Sequence, residues 1–233
     1  MIIYCSEFNH IFEEYLQPLI KARADKDKQF CLSSELLEKS RVLKCPAHID
    51  TLHNYFVVRS VYNYKIVWDG EKFYSPDYDQ NFWDNNVSPR DSSNGVISFF
   101  PPQLYLFAEQ SLNVELVPAF WHKNSVVSNT SVIGGAYDIG RHFRKIECAM
   151  VLHEPCELEI NRGDALYYLK FHTNQKIKIK YFHMVNKIKE LSSGTLLPQQ
   201  ANSGATLSLK YWYAKNKLFY RRRLLELIKN NLL

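Results

Sequence analysis

Cys148, His153 and Cys156 place two thiols and an imidazole within nine residues of chain, in a stretch whose β-branched texture predicts strand, turn and strand. Thiolate and neutral imidazole are ligands that a tetrahedral zinc ion takes, so this trio is where metal chemistry would start. A closed structural site needs a fourth ligand, usually as a second close pair, and none stands at a recognisable spacing. The spacing therefore favours buried thiols and a loop histidine. His48-Ile49-Asp50, joined by His153 and Arg162, supplies the residue types of a two-histidine, one-carboxylate iron site with a cation for an oxoacid co-substrate. Cys45-Pro46 starts a helical turn just ahead of it, however, and alternate residues on a helix diverge by roughly 200°. No metal and no cofactor is expected.

Nucleotide and acyl-transfer chemistry leave equally little trace. The chain has no Gly-x-x-x-x-Gly-Lys-Ser/Thr, no Gly-x-Gly-x-x-Gly and no Gly-x-Ser-x-Gly. Gly134-Gly135 and Gly140 flank Ala136-Tyr137-Asp138-Ile139, which reads as a turn or as a loop approaching a ligand closely. No catalytic residue is assigned. The residue types that do gather point to binding: Tyr78 and Trp83 in a long polar stretch, and Lys215 with Arg221-Arg222-Arg223 near the end of the chain.

These candidates need elements to position them. Phe8, Ile11, Phe12, Tyr15, Leu16, Leu19 and Ile20 recur at spacings of three and four, which predicts a helix reaching about Ala24, with a kink at Pro18, within an N-terminal helical extension over residues 1–40. A short helix follows Cys45-Pro46 and ends near Asn54. From Tyr55 to Trp68 the chain turns aromatic and β-branched, and Asp69-Gly70 before Lys72-Phe73-Tyr74 predicts a hairpin with a tight turn. Ser75 to Asn94, rich in Asp and Asn, reads as one long loop. Further strands are predicted at 96–100, 112–120, 144–152, 156–160, 165–171 and 177–182. Short strands without long intervening helices indicate a mainly β fold, an antiparallel β-barrel or jelly-roll-like sandwich over residues 41–185. Residues 186–233 read as a linker and a C-terminal basic amphipathic helix with Leu225, Ile228 and Leu232 on one face and Lys215, Arg222 and Lys229 on another.

Composition agrees with a folded domain. Of 233 residues 46% are hydrophobic and 23% charged, which excludes wholesale disorder and collagen-like chains, and no apolar run approaches a membrane span of roughly 18 residues. Five cysteines lack the density of a disulfide scaffold, and the first residues show no secretory pattern, so a cytoplasmic compartment is expected. From Lys210 onward seven basic residues face one acidic, whereas the preceding 209 residues carry 22 basic against 23 acidic. The excess charge is thus local. Its expected partner is an acidic protein surface or a like subunit in a homo-oligomer, with nucleic acid as the alternative and no membrane.

The order of several motifs resembles an uncharacterised β-rich protein family of T-even-like marine bacteriophages, many infecting cyanobacteria. Lys44-Cys45-Pro46 leads to Ile49-Asp50 and the aromatic hairpin; Phe99-Phe100-Pro101-Pro102, Val117-Pro118-Ala119-Phe120-Trp121-His122, Gly134–Asp138 and Arg162-Gly163-Asp164-Ala165-Leu166 follow. The last of these opens a strand similar to the barrel strand of dUTPase-type and jelly-roll proteins. The catalytic Asp and phosphate-binding Ser motifs of those enzymes are not recognisable, so catalysis does not carry over, and the resemblance implies fold and phage origin, in the infected cell or the virion. The expected function is therefore non-enzymatic binding or assembly. A nucleotide or small-molecule enzyme site in the barrel mouth, dUTPase-like or metal-dependent, and nucleic-acid binding are the alternatives.

Overall fold

Residue patterns separate two kinds of strand. Tyr64–Trp68 and Cys148–Leu152 alternate buried with half-buried positions, as strands with one covered face do. Ala165–Phe171 buries six of seven residues and Tyr55–Arg59 four of five, which requires cover on both faces and a place inside a sheet. A computed structural model describes residues 1–6, 16–18, 45, 52–99, 104–141, 143, 145–193 and 221–233. In it, both heavily buried strands lie within a five-stranded antiparallel sheet.

That sheet orders Ala136–Asp138 (β11), Asn113–Pro118 (β9), Ala165–Phe171 (β14), Tyr55–Arg59 (β3) and Leu16–Pro18 (β2). A four-stranded antiparallel sheet orders Thr130–Ile133 (β10), Cys148–Leu152 (β12), Val96–Phe99 (β7) and Val87–Asp91 (β6). Cys156–Ile160 (β13), Tyr64–Trp68 (β4) and Phe73–Tyr74 (β5) make a third. In the fourth, Ile2–Ser6 (β1) lies between Lys178–Phe182 (β15), to which it is parallel, and Leu106–Ala108 (β8), to which it is antiparallel. Gln80–Asn86 (α1), Ser125–Asn129 (α2), Asn186–Ser193 (α3) and residues 221–230 (α4) are helical. Ile3, Ile66, Ile97, Leu106, Val114 and Leu169, drawn from all four sheets, share one buried core.

The mainly β, antiparallel expectation is met, but among the described residues the sheets do not close into a single barrel. Three further expectations change. The N-terminal segment is not purely helical: Ile2–Ser6 is a central strand carrying Ile3 and Cys5 into the core, and Leu16–Pro18 is a strand. Among the described residues β2 is an edge strand, a place where proline is tolerated. The other residues of the predicted helix, and those after Cys45-Pro46 up to Thr51, lie outside the described residues. The stretch 75–94 is not one loop but α1, β6 and a 3₁₀ turn, Ser92–Asn94, capped by Asp91. Finally, the hairpin joins β4 to β5 by four residues rather than a two-residue turn. Asp69 Oδ1 accepts from the amides of Glu71 and Lys72 at 2.8 and 2.7 Å, and Gly70 takes φ +100°.

Candidate functional site

Alternation along β15 puts Lys178, Lys180 and Phe182 on one face. Phe182 is fully buried on that face in a second apolar cluster with Tyr4, Phe107, Phe143, Ile188, Leu224 and Ile228. Ile188 comes from α3, and Leu224 and Ile228, four residues apart, from α4, so both helices lay their apolar stripes on this sheet. The chain end is held further by backbone bonds: His183 N–H donates to Asn231 O at 2.9 Å and Leu233 N–H to Tyr181 O at 3.1 Å. What the apolar stripes leave outside is cationic. Lys176, Lys178 and Lys180 come from β15 and its approach, Lys187 and Lys189 from α3, and Arg221, Arg222, Arg223 and Lys229 from α4, against Glu190 and Glu226.

One carboxylate organises this layer. Glu109 Oε1 accepts the Tyr4 hydroxyl at 2.7 Å and meets Lys229 Nζ at 2.9 Å, while Arg221 donates to the Glu109 backbone carbonyl. The Tyr4 hydrogen bond, then Lys229 and Lys180, hold the Glu109 carboxyl below its ordinary range, and burial together with that carboxylate pushes the Tyr4 phenol up to about 12. Arg222, 91% exposed, pairs with Glu226 one turn on at 3.4 Å. Arg223 has no ion-pair partner among the described residues. Arg221, Arg222 and Arg223 thus share the layer, and Lys215 lies outside the described residues.

Tyr78 and Trp83 lie elsewhere. Both are half-buried against the main core, and the Tyr78 hydroxyl donates to Asn63 O. The expected aromatic loop is a short helix with its approach, and it spends much of its aromatic surface on packing.

The metal candidates are held apart. Cys148 is buried in β12, where burial pushes its thiol up, and half-buried Cys156 belongs to another sheet opposite Trp68. His153 Nε2 meets Ser131 Oγ at 2.8 Å. Among the described residues no carboxylate reaches the other ring nitrogen of His153, so this Ser–His pair lacks the group that orients a base. No group of three His, Cys, Asp or Glu among the described residues could hold a metal ion. Arg162 gives its backbone amide to Asn63 Oδ1 at 2.7 Å, and His48 and Asp50 lie outside the described residues. The glycine-flanked stretch is strand β11 rather than a turn; at its end burial raises the Asp138 carboxyl, but Ser111, the amides of Leu112 and Gly140, and Arg141 outweigh it and hold the group low. Its oxygens are spent on these four partners.

A second polar group escapes sequence reading. On the other face of the five-stranded sheet, Tyr168 packs edge-on with Tyr55 and Phe120, and Phe120 remains 50% exposed. The Trp121 amide donates to the Tyr168 oxygen at 3.2 Å, and the same hydroxyl hydrogen-bonds with His122 Nδ1, 2.6 Å away. The half-buried site favours the neutral imidazole. Burial, then the Arg59 charge, pull its pKa down to about 4, in agreement. The only signal in the sequence is a Phe-Trp-His run after a strand, which carries no distinctive spacing.

No protein-family model matches the sequence, and no curated protein matches it. Among solved structures the chain is similar to the native dUTPase of EIAV, at 11% identity and a TM-score of 0.32, over 70% of this chain and 92% of that one. No helix among the described residues is long and apolar enough to cross a membrane.

Proposed function

We propose that this chain is a non-enzymatic phage protein that binds or assembles through its C-terminal basic layer, and that the surface it takes is an acidic protein face. The observation that carries the reading is the gathering of three separate elements, β15, α3 and α4, into one layer whose nine cations face Glu190, Glu226 and the Glu109 that Lys229 holds. A solvated helix face of the usual kind intersperses both signs. Here the apolar stripes are consumed by docking, so the charges are left to meet a partner, and opposite charge across an interface speeds encounter and sets register. The resemblance of the ordered motif series to the marine phage family supports the phage setting.

Titration of the full chain with poly-L-glutamate, followed by tryptophan fluorescence, tests it. Binding at 50 mM salt that weakens steeply by 300 mM, and that is lost in the Arg222→Glu/Arg223→Glu variant, supports the reading. No binding at 50 mM overturns it. Single-stranded DNA bound more tightly than polyglutamate, with the same variant dependence, replaces it by the nucleic-acid alternative.

A further inference from the structure

The basic layer has a counterpart on the same chain. Three turns converge around Trp68. The β4–β5 hairpin brings Asp69 and Glu71, and its Gly70 stands so near the β12–β13 turn that an added Cβ would meet Pro155 Cγ at 3.4 Å, next to Glu154. Trp68 Nε1–H donates to Ser92 O at 2.8 Å, which ties the 3₁₀ turn behind Asp91 to the same place. Asp69, Glu71, Asp91 and Glu154 are all exposed, and Lys72 and His153 are the basic residues in these turns. Tyr74, 47% exposed, stands beside them on the edge strand β5. The acidic rim belongs to the β13-β4-β5 and β12-β7-β6 sheets and the basic layer to the β15-β1-β8 sheet, so the two charges are carried by different elements.

We infer that the acidic protein face is a second copy of this chain, docked head to tail, with the Asp69–Glu71–Asp91–Glu154 rim of one copy on the Arg222–Arg223 face of the next. This rests on the binding function proposed above and names its partner. Charge complementarity selects the geometry. Rim against rim or layer against layer would set like charges together, and like charges repel, whereas rim against layer is attractive; with the rim of one copy on the layer of the next the contact is heterologous. Heterologous contacts close into rings or extend into filaments, which is assembly in the physical sense. The exposed Tyr74 supplies an aromatic anchor beside the charges.

Sedimentation velocity of the full chain over a concentration series tests this. At 0.1 M salt the weight-average mass rises with concentration; at 1 M salt, where the screening length falls from about 10 Å to about 3 Å, the association weakens by about tenfold or more. Glu71→Lys/Glu154→Lys and Arg222→Glu/Arg223→Glu each sediment as monomers alone. Mixed, they associate, because the unaltered layer of the first meets the unaltered rim of the second and the two reversed surfaces are again opposite in sign. A wild-type chain monomeric at 0.1 M salt and 100 µM, either reversed variant associating on its own like wild type, or a mixture that stays monomeric, overturns the inference. Polyglutamate binding distinguishes the two failures: if it persists while the chain stays monomeric, the layer takes another acidic protein, and if it too is absent, both readings fall.

Discussion

Lys229 Nζ and the Tyr4 hydroxyl converge on one oxygen, Glu109 Oε1, at 2.9 and 2.7 Å, joining the central residue of strand β1 to the last turn of α4, 225 residues further along the chain. The ion pair is more than two-fifths exposed on both sides, so it contributes about 0–1 kcal/mol. The apolar seam beneath it does most of the holding. Glu109→Gln is therefore expected to leave α4 docked, whereas Ile228→Ala, at a site of zero exposure, costs about 2–5 kcal/mol. Hydrogen exchange of the amides in 221–233 checks both: little change in the first variant, and marked loss of protection in the second.

The His122–Tyr168 contact makes stability depend on pH. The folded imidazole titrates at about 4 and an unperturbed one at 6.5, so on acidification the unfolded chain binds this proton first. Stabilisation present above pH 6.5 is then lost as the pH falls towards 4. Denaturant unfolding at a series of pH values, with the His122 ring followed by NMR, should show the slope, and His122→Asn should flatten it over that window.

Tyr168→Phe removes the acceptor of the Trp121 amide and the hydrogen-bond partner of His122 together. Leaving two partly buried polar groups unmatched costs about 1–3 kcal/mol. The aromatic packing with Tyr55 and Phe120 is kept, so the change reads out in the unfolding midpoint with an unaltered m-value.

Gly140 is required by close approach. A Cβ there would stand 1.9 Å from the Gln110 carbonyl oxygen, and backbone cannot swing aside as a side chain can. Gly140→Ala is expected to destabilise by about 3 kcal/mol or more, and Gly134→Ala, whose Cβ would sit 3.8 Å from Leu116 O, by far less. Thermal unfolding of the pair checks the contrast.

Thiol accessibility should follow burial. Cys45 is exposed and Cys156 half-buried, while Cys5 and Cys148 are buried, the latter with its thiol pushed up. With an aromatic disulfide reagent at neutral pH, Cys45 reacts first among these four, and Cys5 and Cys148 react only at the rate of unfolding. Rapid reaction of Cys148 in the native protein would contradict its place in the core.

Local patterns were legible wherever a residue's neighbours along the chain decide its state. The strands Cys156–Ile160 and Ala165–Phe171 have the bounds that alternation and flanking turn residues predict, and the Asp69-Gly70 hairpin stands where a positive φ is needed. Charge counting found α4 for the same reason: its cations are consecutive. Local reading failed where partners are distant. The apolar spacing up to Ala24 suits a helix, yet Leu16–Pro18 pairs with Val58–Phe56, because a sheet edge offers backbone bonds that helical periodicity does not encode. Ile2–Ser6 joins Lys178–Phe182 across most of the chain, and only that pairing brings Lys178 and Lys180 beside α4. Amino-acid order thus determined a mainly β chain with a cationic end. Tertiary structure alone decided that the cations form a layer, that the acids form a rim, and that His122 meets Tyr168, since each depends on contacts between residues far apart in sequence.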